Sequence, residues 1–203
     1  MKRISLLFVA LGLFCLPLGL SAQQAYLANA GQSSMTINGT SSLMDWTSTA
    51  TEVIGEAMLV VKQQELKEVQ QLRIRVPVTS IKSSHVQMDE HTWAALQANA
   101  HPMIVYEMLK VRSIKATPSG SGYLIETTGT MTIAGQSLPH DMLVEARLQS
   151  NGTLIFMGTS NLNMEDYAID PPTAIFGTIT TEPEITIQFS VGFAPLMPGS
   201  FMN

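Results

Sequence analysis

Cysteine is almost absent from this chain. Among 203 residues the only Cys is Cys15, which lies in an apolar stretch over residues 4–20. Basic residues precede this stretch and the small residues Ser21 and Ala22 follow it, which is the organisation of a secretory signal peptide. Cleavage near Ala22 leaves a mature chain without cysteine, and this excludes disulfides, thiol catalysis and cysteine-ligated zinc. We therefore expect residues 1–22 to be a signal peptide and the mature protein to be periplasmic or secreted.

Charge is also scarce, and its balance is negative. Only 13% of the residues are charged, and the formal net charge of −5 still includes Lys2 and Arg3 of the signal peptide. A nucleic-acid-binding domain requires a basic patch, and attachment to anionic lipid requires a polybasic segment. No second apolar run of about 18 residues follows the signal peptide, so no transmembrane helix is expected. The composition thus argues against nucleic acid as a partner and against a membrane-spanning segment.

Catalytic and metal-binding motifs are missing as well. The sequence has no HExxH, no GxSxG and no glycine-rich phosphate loop. His85 and His91 do not share a helix face at their spacing. His140 and Asp141 are neighbours on a predicted strand, where successive side chains point to opposite faces. We therefore predict no catalytic residue, no metal ligand and no enzymatic activity.

The dominant feature of the chain is the alternation of apolar and polar residues. A clean period of two runs through residues 34–39, 72–78, 123–133 and 185–193, and a weaker one through 51–61, 103–112, 138–148 and 153–163. Such alternation is typical of strands with one buried and one solvated face. Short turns such as Ser150-Asn151-Gly152 separate the segments and favour antiparallel neighbours. The pattern predicts a single all-β domain over residues 33–193 with about eight strands in a meander.

Other segments interrupt this pattern. Residues 89–98 are rich in helix formers and are predicted as one short helix. Residues 164–183 contain a pair of prolines and are predicted as a long crossing loop, with a short strand near its end. Residues 23–32 are small and polar, and we expect a flexible N-terminal lead. Residues 194–203 contain proline and glycine and are expected to form a flexible C-terminal tail.

Methionine is unusually common, with 13 residues in the chain. Several fall on faces that are predicted to point inward, among them Met58, Met108 and Met131. Methionine re-packs easily and suits a surface that contacts a flexible apolar ligand, but ordinary core packing explains the same composition. A barrel of about eight strands is either filled by its own side chains or holds one slim ligand, and the pattern leaves both open.

Short motifs occur in a fixed order along residues 36–193. They are residues 39–46 (GTSSLMDW), 78–81 (VTSI) leading into Met88-Asp89, 101–106 (HPMIVY), 129–135 (GTMTIAG), and 162–164 (LNM) followed by 171–174 (PPTA). In order, spacing and agreement with the strand count, the set resembles the YceI-like polyisoprenoid-binding family. The resemblance implies a lipocalin-like, extended antiparallel barrel that is exported and encloses a long apolar cavity. The implied ligand is an isoprenoid chain, such as a quinone or a polyprenyl lipid, and no catalytic role is implied.

The chain departs from the family in two motifs. Where many relatives carry His-Asp-Trp, this chain has Met44-Asp45-Trp46, and where many carry Arg-Asp before the helix, it has Met88-Asp89. Each change replaces a polar side chain by methionine. The chain can therefore retain the tail of the family's ligand while binding a different head group.

The leading hypothesis is an exported binding module that sequesters or carries an isoprenoid or similar long-chain lipid and uses no other cofactor. The residues predicted to line the cavity are Met58, Leu72, Ile74, Ile104, Tyr106, Met108, Ile125, Met131, Phe156 and Phe189. The residues predicted at the mouth or in a lid are Trp46, Trp93, Leu96 and Phe176, and the helix and the proline loop are predicted to close the same end. The alternatives are a ligand-free structural or interaction barrel of the cell envelope and, less favoured, a hydrolase. A homodimer is left open.

Overall fold

The strands of the protein form one continuous antiparallel sheet. The computed structural model describes residues 23–118, 120–174 and 178–196, so the predicted signal peptide lies outside the described residues. In chain order the strands are β1 (Gln24–Ser41), β2 (Asp45–Ala50), β3 (Ile54–Lys62), β4 (Glu65–Pro77), β5 (Ile81–Lys82), β6 (Met103–Ala116), β7 (Tyr123–Ile133), β8 (Gln136–Leu148), β9 (Leu154–Asn163), β10 (Thr173–Ala174) and β11 (Ile179–Pro195). The helix α1 (Val86–Ala95) follows β5.

Eight long strands among the described residues close this sheet into a barrel. The order of neighbours around the barrel is β1, β3, β4, β6, β7, β8, β9 and β11, and β11 pairs again with β1, as in the register Ile37↔Ile187. The first residues of β1 pair with β3, and its last residues pair with the short β2. The prediction of a single all-β antiparallel barrel with about eight strands is confirmed.

The sheet extends further toward both ends of the described residues than the composition predicted. The prediction of a flexible lead over residues 23–32 is wrong, because β1 begins at Gln24 and its first residues pair with β3. Tyr26 is the anchor, since its side chain is buried in the core. At the other end, β11 continues to Pro195, so the predicted tail begins too early, and residues 197–203 lie outside the described part of the chain.

The interrupting segments differ from the prediction in their bounds. The helix α1 begins at Val86, before the predicted start at residue 89, and ends at Ala95. The predicted loop over residues 164–183 contains a 3₁₀ turn at Glu165–Tyr167 and the strand β10, which pairs with the start of β11. The short strand expected near the end of this loop is thus the first part of β11, which begins at Ile179.

One end of the barrel is sealed by tightly packed side chains. Phe193, Leu59 and Leu154 have 0% of their surface exposed. The rings of Phe156 and Phe193 meet edge to face, with centroids 5.5 Å apart, an arrangement that aromatic pairs favour. Gly55 leaves room for this packing, because a Cβ atom there would lie 2.8 Å from Cζ of Phe193. We call this the closed end of the barrel.

The turn between β7 and β8 provides a first test of the fold. Gly135 has φ of +82°, and a Cβ atom there would lie 2.6 Å from Cε1 of His101. We expect Gly135→Ala to lower the free energy of unfolding by about 1–2 kcal/mol, because the left-handed backbone disfavours any Cβ and the imidazole must move. The measurement is urea unfolding. Gly120→Ala is the matched control, since Gly120 has φ of +68° and no neighbour within 4 Å of the added Cβ. Equal losses at both sites would contradict a role for the His101 contact.

Candidate ligand-binding cavity

A cavity of about 750 Å³ lies inside the barrel, between the closed end and the opposite end, which we call the mouth. This volume falls within the usual range of small-molecule sites. Its lining is mainly apolar, because every second residue of each barrel strand points inward and most of these inward residues are apolar. Of the predicted cavity residues, all but Met58 line it, namely Leu72, Ile74, Ile104, Tyr106, Met108, Ile125, Met131, Phe156 and Phe189. The barrel is therefore not filled by its own side chains.

Met58 was assigned to the wrong face of β3. Its neighbours Ala57 and Leu59 are buried in the core, and Gly55 faces Phe193. Residues 55, 57 and 59 therefore point inward, and Met58 points out of the barrel. The apolar run at residues 57–61 hides the period of two, but the charged Glu56, which shares a face with Met58, was a local signal of the correct face.

The mouth is surrounded by α1, the turn between β1 and β2, and the segment over residues 164–173. All three contribute lining residues to the same cavity, which is the arrangement predicted for a lid. Leu43 and Met44, on the turn, are 64% and 63% exposed. Leu96 lines the mouth, and Trp46 lies across Gly39, where only the absence of a side chain admits the indole. The fourth predicted lid residue, Phe176, lies outside the described residues.

Trp93 holds α1 in place and does not line the cavity. Its Nε1–H donates a hydrogen bond of 3.0 Å to the carbonyl oxygen of Ile81. The ammonium of Lys82 lies 3.7 Å from the centroid of the indole ring, which is a cation–π contact. The prediction failed because the phase of the helix was not known from sequence. Thr92 and Leu96 face the cavity, whereas Trp93 shares a face with Asp89, one turn earlier.

Asp89 is the second anchor of α1. Its side chain is 6% exposed, and Oδ1 accepts hydrogen bonds from the backbone N–H of Ser83 at 2.6 Å and from the Ser83 hydroxyl at 2.8 Å. Burial alone would raise the pKa of Asp89. The bonds from Ser83 and the charge of Lys82 outweigh this effect and hold the pKa of Asp89 below its ordinary value. The carboxylate is therefore ionised at neutral pH. Its hydrogen bonds hold α1 against Ser83, which directly follows β5.

We expect Asp89→Asn to lower the free energy of unfolding by about 1–2 kcal/mol at pH 7, because an amide oxygen accepts weaker hydrogen bonds than a carboxylate. The folded pKa of Asp89 lies below the unfolded value of about 3.9. The extra stability of the wild type over Asp89→Asn is therefore fully present above that value. The advantage is lost as the pH falls through the folded pKa. Urea unfolding from pH 7 to pH 2 measures it, with the exposed neighbour substitution Glu90→Gln as the control. A difference that does not change with pH would contradict this account.

A polar cluster lies on the inner wall of the barrel, across β6, β7, β8 and β9. The hydroxyls of Tyr106 and Thr127 are 3.0 Å apart, and Nε2 of His140 lies 2.7 Å from Oγ of Ser160. The rings of Tyr106 and His140 meet edge to face at 6.5 Å. Burial raises the pKa of Tyr106 and lowers the pKa of His140, so both side chains are neutral at pH 7. Sequence reasoning missed this cluster, because only the packing of side chains from four strands inside the barrel brings its members together.

The neighbouring acid does not form a pair with His140. Asp141 points out of the barrel, where a carboxylate oxygen lies 2.8 Å from a guanidinium nitrogen of Arg112. Within residues 23–118, 120–174 and 178–196, no group of three or more His, Cys, Asp or Glu side chains is placed to hold a metal ion. In the same ranges, no helix is long and apolar enough to cross a bilayer.

A closed antiparallel barrel around an apolar cavity, with a helix and loops at its mouth, defines the lipocalin-like class of fold. The YceI-like domain matches residues 26–193, and the chain belongs to this family. The resemblance seen in the sequence motifs is therefore confirmed.

Solved structures share this fold. The crystal structure of BcnA from Burkholderia cenocepacia matches with a TM-score of 0.62 at 13% identity, over 81% of this chain and 98% of BcnA. A polyisoprenoid-binding domain from Saccharophagus degradans, implicated in plant cell wall breakdown, matches with a TM-score of 0.62 at 8% identity, over 86% of this chain and 100% of that domain. The YceI protein of Campylobacter jejuni matches with a TM-score of 0.51 at 18% identity, over 71% and 82% of the two chains. No curated protein matches the sequence significantly.

Proposed function

We propose that the protein is an exported binding protein that sequesters or carries an isoprenoid, or a similar long-chain lipid, inside its barrel. The observation that carries the proposal is the apolar cavity of about 750 Å³, open at the mouth and sealed at the other end. A chain-like lipid gains roughly 0.8 kcal/mol for each buried CH₂ group. A few isoprene units therefore offset an association cost of about 4–15 kcal/mol. The polyisoprenoid-binding domain from Saccharophagus degradans supports the choice of ligand.

The proposed role is binding without catalysis. Catalysis in a cleft requires ionisable groups that converge on one reacting atom. Among the described residues that line the cavity, the carboxylates and histidines are Asp45, His85 and His91. They lie on β2 and on or beside α1, at the mouth and away from the apolar interior. His140 contacts Ser160 on the inner wall, but the neighbouring acid Asp141 points outward and pairs with Arg112. This arrangement supports a carrier over the hydrolase alternative.

The proposal is tested on protein purified from its own host. Native mass spectrometry and lipid extraction should find an isoprenoid or long-chain lipid bound at close to one molecule per chain. The protein stripped of lipid should take up the same lipid again. Protein that carries no lipid and fails to bind isoprenoids after stripping would favour the ligand-free structural or interaction barrel.

Export is the second part of the proposal. It rests on the basic start, the apolar stretch over residues 4–20 and the small residues before the expected cleavage site. We expect the mature protein to begin near Gln23, which N-terminal sequencing of exported material will determine. A mature chain that begins at a lipid-modified Cys15 would contradict release in soluble form.

A further inference from the structure

Apolar side chains project into solvent around the mouth of the barrel. Leu43 and Met44, on the turn between β1 and β2, are 64% and 63% exposed, and Val86, the first residue of α1, is 72% exposed. Val86 lies between His85 and Gln87, which both line the cavity. We call Leu43, Met44 and Val86 the apolar rim. A single exposed apolar residue needs no explanation, but a group of them around one opening indicates a contact surface.

The turn between β1 and β2 holds its part of the rim in this exposed position. The backbone N–H of Ser41 donates to the carbonyl oxygen of Met44 at 3.0 Å, and the Ser41 hydroxyl donates to the same oxygen at 2.8 Å. The backbone N–H of Ser42 donates to the carbonyl oxygen of Thr180 on β11 at 2.8 Å. The turn is therefore fixed to the barrel wall, and it presents Leu43 and Met44 to a partner without rearrangement.

The apolar rim continues into the cavity. Leu43 and Met44 are mostly exposed and also line the cavity, so each of them adjoins both the solvent and the interior. A long-chain lipid of the kind proposed above resides in a bilayer, because its exposure to water is unfavourable. The lipid has to pass the rim to enter or leave the barrel. A bilayer placed against the rim gives it an apolar path from the membrane to the cavity.

The small extent of the rim separates a bilayer from a protein partner. A specific protein interface usually involves about 20–30 residues on each side, whereas the rim consists of three side chains on two elements around an opening. Insertion of a few apolar side chains into the interfacial region of a bilayer requires no matching surface. The rim therefore fits a bilayer better than a second copy of the chain or another protein.

Charge indicates which kind of bilayer the rim would meet. Neither α1, nor the turn, nor the segment over residues 164–173 contains Lys or Arg. Lys82, four residues before α1, already contacts the ring of Trp93 and lies 3.9 Å from a carboxylate oxygen of Asp89. Exposed acidic residues are present on the same elements, namely Glu90, Glu165, Asp166 and Asp170. These charges repel an anionic membrane surface, whereas a zwitterionic surface carries no net charge.

We infer that the apolar rim docks the mouth of the barrel onto a bilayer of zwitterionic lipid, by inserting Leu43, Met44 and Val86 among the head groups. This inference rests on the proposed function and deepens it, because it places the entry and exit of the bound lipid at that bilayer. Docking by three side chains is weak and reversible, which suits a protein that must leave the membrane with its lipid.

The test measures how the mature protein, stripped of lipid, partitions onto vesicles in a flotation experiment. Vesicles of pure phosphatidylcholine are compared with vesicles of equal parts phosphatidylcholine and anionic phosphatidylglycerol. We expect the wild type to bind the pure phosphatidylcholine vesicles and to bind the mixed vesicles no more tightly. The variant Leu43→Ser/Met44→Ser should lower partitioning by tenfold or more, because two of the three rim side chains no longer gain from leaving water.

The matched control is Leu109→Ser/Leu143→Ser. These side chains are 70% and 58% exposed, but they lie on β6 and β8 and not on the elements of the mouth, so partitioning should not change. A third variant, Val86→Ser, separates docking from cavity binding, since Val86 is not among the residues that line the cavity. It should weaken vesicle binding severalfold and leave the affinity for an isoprenoid hydrocarbon, measured without vesicles, within twofold.

A fluorophore identifies the face that meets the membrane. The mature chain has no cysteine after the expected cleavage, so Leu43→Cys and Leu109→Cys each provide a single site for an environment-sensitive label. Phosphatidylcholine vesicles should shift the emission of the label to the blue in Leu43→Cys and leave it unchanged in Leu109→Cys. This measurement decides the orientation even if Leu43→Ser/Met44→Ser fails to fold.

The docking surface and the proposed function fail in different ways. A wild type that takes up the isoprenoid hydrocarbon from solution but ignores phosphatidylcholine vesicles, or binds only the mixed ones, overturns the inference alone. Equal losses in the rim and control variants, or equal shifts of the two labels, also overturn it. A dimer in the absence of vesicles that Leu43→Ser/Met44→Ser abolishes would assign the rim to a second copy instead. Docking through the rim without uptake of any lipid supports the docking surface and overturns the proposed function.

Discussion

Replacing Phe193 by alanine is expected to lower the free energy of unfolding by about 3–5 kcal/mol. The side chain has 0% of its surface exposed and contacts the ring of Phe156 edge to face. It also fills the space left by Gly55, so its removal deprives several strands of a shared contact at the closed end. The measurement is urea unfolding with linear extrapolation to water.

Phe189→Ala is the matched control for this variant. Phe189 lies on the same strand and also points inward, but it is only half-buried and adjoins the cavity. We expect a clearly smaller loss, because fewer protein contacts disappear when its ring is removed. Equal losses in the two variants would mean that the closed end is packed no more tightly than the cavity wall.

Met108→Trp is expected to reduce lipid binding by tenfold or more, which corresponds to about 1.4 kcal/mol. Met108 lines the cavity, so the larger indole occupies volume that the lipid needs. The fold should persist, because the cavity accommodates the added atoms. Lipid co-purification and thermal unfolding are measured on the same variant. Leu109→Trp is the control, since Leu109 is 70% exposed on the same strand and a Trp there stands outside the barrel.

The opposite outcome has a clear meaning. Overpacking of a filled core costs about 1–3 kcal/mol of stability. If Met108→Trp loses stability on this scale and retains its lipid content, the region around Met108 behaves as packed core. The ligand-free structural barrel would then replace the carrier hypothesis.

The strands that sequence reasoning found best are those with one wet and one dry face. The alternation around Ile125 and Ile187 predicted β7 and the second half of β11 directly. The first residues of β1 were missed because residues 23–32 are mostly small or polar, and their strand conformation depends on pairing with β3, about 30 residues away in sequence. Local pattern carries no information about such a partner.

The residues of the candidate site likewise fall into those that the alternation predicts and those that it does not. Apolar lining residues such as Ile74 and Met108 follow from the alternation alone. The contact between His140 and Ser160 lies beyond the paired part of β8 and β9, which joins Val144–Leu148 to Leu154–Gly158, so it depends on how the side chains pack inside the closed barrel. The orientation of Trp93 follows from the docking of α1 on Ile81. Both depend on tertiary contacts that join separate segments of the chain.

The seam between β1 and β11 has a kinetic consequence. Tyr26 pairs with Pro195, so the barrel closes by joining the first strand of the sequence to the last. Contacts between such distant residues form slowly, because a long loop must be ordered before they contribute. A chain that emerges N-terminus first can pair β1 with β2 and β3, but the edge of β1 that faces β11 stays open until its final strand is released. A ribosome that still holds the last residues would thus hold the barrel open along this seam.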